Sequence, residues 1–201
     1  MINYRFYYWG PLLFGAKMEQ LDLDKIKNLC AKDPTQHFSK ELAGDIKHEY
    51  AIDKKIISEI LKPYIEAFRE GFKHWYNRPI EELKVKTAWV NYMQPGDYNP
   101  LHIHPECDFS SVIYLDIPKE LKEELNNYKG TAEGPGSISF TYGENNPYFI
   151  DWHTFKPNAG DIYIFPYCLR HIVTPYKSKC ERISVSVNFI QKGGSYDKSL
   201  G

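Results

Sequence analysis

From about residue 86 onward the apolar residues of this chain fall at every second position, and that change of period limits the folds open to it. "KTAWVNYM", "DFSSVIYLDI", "GSISFTY", "DIYIFPY" and "ERISVSVNFI" read as strands, separated by Gly, Pro and Asn turn signals. Before them, in "DKKIISEILKPYIEAFREGFKHWYN" (residues 53 to 77), Ile56, Ile57, Ile60, Leu61, Tyr64, Ile65, Phe68, Phe72 and Trp75 recur at three- and four-residue steps, the pattern of an amphipathic helix. Pro63 is expected to kink that helix or divide it in two. A shorter helix is expected over 22 to 32, with Asp22 or Asp24 as N-cap. Residues 118 to 136 read as an excursion between strands, a short helix and then a Gly-rich loop. Helices followed by a run of strands indicate an α+β chain, mainly β, with the helices packed on an all-β unit. The aromatic start "YRFYYWG" is expected to add a strand to the sheet. One domain over 1–201 accounts for this order, with 1–86 as helical support and 87–190 as the β core.

Composition excludes several function classes. A chain of 201 residues, 42% hydrophobic and 25% charged, can bury one sizeable core. A net charge of -1 gives no overall reason to expect nucleic acid as the partner. No apolar run approaches the ~20 residues of a membrane span, and the N-terminus lacks the basic and then apolar layout of a signal peptide, so a cytosolic protein is expected. Cys30, Cys107, Cys168 and Cys180 show no CxxC spacing, which favours free thiols over a zinc ribbon.

The chemistry concentrates in "NPLHIHPECDFSSVIYLD", residues 99 to 116. In an extended segment residues i and i+2 point to one side, so His102 and His104 can face a shared point, where a metal ion is the usual common ligand. The spacing alone is weak evidence. A third histidine, His171, follows a strand in "NAGDIYIFPYCLRHIVTPY", and a jelly-roll barrel can bring such strand mouths together. Asp108, four residues after His104, is the nearest carboxylate on the same segment apart from Glu106. A histidine and carboxylate set with open positions is typical of non-haem Fe(II) oxygenases. Downstream, alternation in "CERISVSVNFI" puts Arg182, Ser184, Ser186 and Asn188 on one face. That face looks either onto solvent or into a barrel, and in the second case Arg182 and Ser184 form a buried anion clamp.

Taken in order, His102-x-His104, "SSVIYL", "GDIYIFPYCLRH" with His171, and Arg182-x-Ser184 resemble the 2-oxoglutarate and Fe(II)-dependent oxygenases over residues 87 to 190, in particular an H-x-H variant of the prolyl-hydroxylase-like group. The resemblance implies a double-stranded β-helix, a jelly-roll or cupin-like barrel. It implies Fe(II) as cofactor, and 2-oxoglutarate and dioxygen as co-substrates. His102 and His171 become metal ligands by position, and Arg182 and Ser184 receive the distal carboxylate of 2-oxoglutarate. Position 104 departs from the wider family, which has a carboxylate there, so either three histidines hold the iron or Asp108 supplies the carboxylate. Asn91 and Tyr114 are further candidates for lining the co-substrate pocket, with Trp89 on the same face as Asn91. The implied reaction is hydroxylation of an unidentified primary substrate with decarboxylation of 2-oxoglutarate to succinate, and no catalytic group beyond the metal site.

"GDYNPLHIHPECD" also resembles the first cupin motif, and "GDIYIFPYCLRH" the second in its spacing. A cupin has no standing need for Arg182-x-Ser184, which places the oxygenase first. A non-catalytic jelly-roll binding module and a structural oligomer built from the aromatic N-terminus are the other readings, and a homodimer is a further expectation. His37, His48 and His74 are expected to be solvated or capping, and His153 to lie in a surface turn.

Overall fold

Three α-helices and ten β-strands, with a 3-10 turn at Pro34–Gln36, are the regular elements of the described part of the protein, which in this computed structural model is residues 10–39, 42–144, 146–147 and 150–197. In chain order they are β1 (Phe14–Lys17), α1 (Gln20–Leu29), β2 (Glu49–Ala51), α2 (Lys54–Tyr76), β3 (Leu83–Met93), β4 (Asn99–His102), β5 (Phe109–Asp116), α3 (Lys119–Asn127), β6 (Ile138–Thr141), β7 (Trp152–Phe155), β8 (Asp161–Pro166), β9 (Arg170–Val173) and β10 (Arg182–Gln191). Tyr4–Trp9 of the expected N-terminal strand lie outside the described residues.

The strands form two antiparallel sheets, one of six in the order β1-β8-β5-β10-β3-β2 and one of four in the order β4-β9-β6-β7. Alternation along β10 decides the layering. Val185, Val187 and Phe189 join Val90, Tyr92, Ile113, Leu115, Ile162 and Ile164 in a core closed from outside by Leu23 and Ile26 of α1 and by Ile57, Leu61, Ile65 and Phe68 of α2. Each such apolar side chain contributes roughly 1.5–3 kcal/mol by leaving water. Met93, Tyr114, Tyr163 and Phe165 point the other way, packing with Ile138, Phe140 and Val173 of the four-stranded sheet. The polar face of β10 therefore looks into the barrel, not onto solvent.

Two helix expectations need correction. α1 begins at Gln20 after Glu19, with no side-chain cap, and Asp22 sits inside its first turn, where its carboxylate accepts from Lys25 Nζ and Tyr64 Oη. Employed in those bonds, Asp22 is not the cap, and the helix ends at Leu29. α2 is one helix of 23 residues in spite of Pro63. Pro63 is on the exposed side between the buried Leu61 and Tyr64, where water can satisfy the backbone group the ring leaves free. Asp53 caps α2 by accepting from the backbone N–H of Lys55 and Ile56 at 2.8 and 3.1 Å. His153, expected in a turn, lies instead on the exposed face of the edge strand β7. No helix among the described residues is long and apolar enough to cross a membrane. The four cysteines are free.

Candidate metal and co-substrate site

Strand pairing brings the three histidines together. β4 lies beside β9 with His102 opposite His171, and β6 on the other side of β9 sets Phe140 against His171. His104, just past the end of β4, is tied down by its backbone N–H, which donates to Tyr167 O at 3.1 Å. A nitrogen from each of His102, His104 and His171 lies within 4.8 Å of the other two.

The rings are held for ligation. His102 Nδ1 is 2.7 Å from Pro100 O, and His171 Nδ1 is 2.9 Å from Leu169 O. A carbonyl oxygen only accepts, so in both rings Nδ1 carries the hydrogen and Nε2 of the neutral imidazole keeps its lone pair for a metal. Burial pulls all three imidazoles below their ordinary pKa, His104 to about 3, and their mutual repulsion adds to the effect at His104 and His171. Neutral, orientated and clustered imidazoles fit a divalent transition metal.

Asp108 is not brought to this cluster. Its Oδ2 accepts from the backbone N–H of Gln191 at 2.7 Å and lies against Gly194, so it anchors the end of β10. The carboxylate alternative for the second ligand loses its geometric support.

A cavity of about 460 Å³ opens beside the triad, within the usual range for small-molecule sites. Arg182, Ser184, Asn91 and Tyr114 all line it. Arg182 is only 2% exposed, yet among the described residues no carboxylate pairs with it. Its Nη1 donates to Gly136 O at 3.2 Å, its Nε has no partner, and its guanidinium lies 5.4 Å from the centre of the Tyr114 ring. The Tyr114 hydroxyl is likewise buried without a partner, and burial raises its pKa, keeping it a donor. A buried guanidinium without an anion is unfavourable, and here it borders a cavity large enough to admit one. The donor set, two unsatisfied groups with Ser184 alongside, suits a carboxylate. Asn91 has a different task. It accepts from Trp89 Nε1 at 3.0 Å and donates to Ser184 O and Ser186 Oγ, fixing the wall instead of offering free groups.

Several lining residues left no sequence signal. Glu49, in the three-residue β2, and Phe38, outside any regular element, line the cavity although neither stands in a recognisable pattern. His153 does not: it lines a separate surface groove with Trp152 and Phe155.

A two-sheet barrel with a metal-ready triad and a buried cationic pocket defines a class of metal-dependent enzyme built on the double-stranded β-helix. Solved structures share this fold. The chain is similar to a viral collagen prolyl hydroxylase from Paramecium bursaria Chlorella virus 1, in its 2-oxoglutarate complex, at 15% identity and a TM-score of 0.57, covering 88% of this chain and 94% of that one. It is similar to a prolyl-4-hydroxylase from Pseudomonas putida at 15% identity and 0.55, covering 89% and 91%. The 2-oxoglutarate-dependent carbocyclase SnoK of nogalamycin biosynthesis gives 14% identity and 0.56, covering 94% and 85%. No curated protein matches the sequence. The 2OG-Fe(II) oxygenase family model matches residues 87–188, and the chain belongs to that family. It is a 2-oxoglutarate-dependent oxygenase that uses Fe(II).

Proposed function

We propose that the protein hydroxylates an organic primary substrate, R–H, in the reaction R–H + O2 + 2-oxoglutarate → R–OH + succinate + CO2. His102, His104 and His171 hold Fe(II) through their Nε2 atoms, and the bound iron supplies the activation of dioxygen. Residues 1–86 and 87–190 work as one domain, with α1 and α2 bracing the sheet that carries the cavity wall. The observation that carries this reading is the buried Arg182, its Nε without a protein partner, in the same cavity as the triad.

The side chains divide the work. Arg182, with Ser184 and the Tyr114 hydroxyl, receives the distal carboxylate of 2-oxoglutarate and directs its 2-oxo acid end toward the triad. Each charge-assisted bond there is worth roughly 1.5–3 kcal/mol. Tyr163, Phe165 and Phe140 keep water from the inner wall. Burial keeps His102 and His171 neutral, and the Nδ1–H bonds to backbone carbonyls hold their rings with Nε2 free.

Anaerobic addition of Fe(II) and 2-oxoglutarate to metal-free protein tests the reading. A weak visible charge-transfer band of a chelated 2-oxo acid is expected, and it should fade in Arg182→Ala. Metal binding with no band in the wild type would overturn the co-substrate assignment.

A further inference from the structure

The cavity has a second charged end that the co-substrate does not use. Glu49 on β2 is 1% exposed and lines the cavity, and its Oε2 has no hydrogen-bond partner. Register places it in a row across the six-stranded sheet: Glu49 is opposite Asn91, Asn91 opposite Ser184, and Ser184 opposite Tyr114. Three interstrand steps separate the ends of that row, roughly 14 Å at ~4.8 Å per step. An acid thus stands at one end, and the Arg182 and Tyr114 donors at the other.

Among the described residues no cation of the cavity wall answers Glu49. Lys86 is committed to Glu106, its Nζ lying 2.6 Å from the backbone oxygen and 3.1 Å from Oε2. Arg182 is turned to Gly136. The groups acting on the Glu49 carboxyl are the Ser39 hydroxyl, which hydrogen-bonds to it, and the charge of Asp97, which adds to the negative potential. Burial without a counter-charge pushes its pKa up to about 8. The rings of Phe38 and Trp89, 5.5 Å apart between centroids, line the same cavity, and Trp89 continues to the metal side with its ring 6.2 Å from that of His104. A buried carboxylate beside aromatic rings is a setting that attracts an organic cation.

We propose that Glu49 is the specificity determinant for the primary substrate, which carries a protonated amine seated on the Glu49 carboxylate beside Phe38 and Trp89. The inference rests on the assignment of this cavity to 2-oxoglutarate-dependent hydroxylation. The ammonium restores the ionised form of Glu49, whose proton passes to solvent, and the carbon skeleton attached to it runs along Trp89 toward the triad. An anionic substrate meets the charge of Asp97 at this end and gains no counter-charge from Glu49.

The test uses the full chain loaded anaerobically with Fe(II) and 2-oxoglutarate, in wild type and Glu49→Gln, with n-butylammonium as probe and n-butanol and n-butyrate as its neutral and anionic counterparts. The charge-transfer band is recorded first, and its presence in both proteins shows that the co-substrate reading and the fold survive the substitution. Calorimetric titration is then expected to show n-butylammonium binding the wild type at least ten-fold more tightly than either counterpart, and Glu49→Gln losing that preference. Equal affinity for n-butylammonium in the two proteins, or no binding of it to a wild type that shows the band, would overturn the proposal. Absence of the band would instead strike the co-substrate reading on which it stands.

Discussion

The Nε2 atoms of His104 and His171 lie 3.1 Å apart, although 67 residues separate the two positions in sequence. Two neutral imidazole nitrogens cannot both present lone pairs at that distance without a proton or a cation between them. His171 Nε2 is a lone pair, because its Nδ1–H is used by Leu169 O. Replacing either histidine by alanine should therefore lower Fe(II) affinity by more than the roughly 10–100-fold that loss of an outer hydrogen-bonding partner brings. Metal content after equilibrium dialysis checks this, and unchanged loading in His104→Ala would remove that residue from the ligand set.

Asp108 gives the opposite expectation. Its carboxylate is engaged with the Gln191 N–H, outside the triad. Asp108→Ala should retain its metal while losing about 1–3 kcal/mol of stability from the unsatisfied donor and freed chain end. Chemical denaturation and metal analysis of one preparation separate the two effects. Loss of iron at unchanged stability would restore Asp108 as a ligand.

The fold was legible where elements are long enough to show a period. The five patterned strands and α2 appear close to their expected places because their apolar side chains are buried in the two cores. β2, β4, β7 and β9, of three or four residues, carry too few alternations to be read, and tertiary pairing makes them strands, whereas the equally short β6 shows because alternation in "GSISFTY" extends beyond its paired residues. The same length limit explains the site. His102, His104, His171, Arg182 and Ser184 stand in motifs, whereas Glu49 is placed by pairing with β3 and has no local pattern around it. The choice between His104 and Asp108 needed side-chain direction, which spacing does not supply. The direction of the polar face of β10 likewise depends on the helices that cover its apolar side, which alternation alone does not specify.

Arg182 destabilises the empty pocket and stabilises the filled one. An unpaired buried charge replaced by an apolar group of similar length is neutral or stabilising, so Arg182→Met should melt at or above the wild-type temperature without ligand. With 2-oxoglutarate at 100 times its Kd, the metal-loaded wild type should gain about 2.7 kcal/mol, or roughly 5–10 °C in Tm for a chain of this size. Arg182→Met should show none of that gain. A shift retained in the variant would place the carboxylate elsewhere.

Glu49 should leave its mark on stability as a function of pH. Its carboxyl has a pKa of about 8 in the folded protein against an ordinary 4.5, raised first by burial and then by the charge of Asp97, with the Ser39 hydroxyl opposing. Below pH 4.5 both folded and unfolded chains hold the proton, and the folded state has its full advantage. Between 4.5 and 8 the unfolded chain has released the proton that the folded chain keeps, so stability declines as pH rises, by up to about 1.4 kcal/mol per pH unit. Above 8 both forms are ionised and the loss is complete. Glu49→Gln has no proton to exchange, and its stability relative to wild type should grow steadily from pH 5 to pH 8. Urea unfolding of the two proteins at several pH values measures this difference directly. Parallel curves across that window would mean that the Glu49 carboxyl ionises normally in the folded protein.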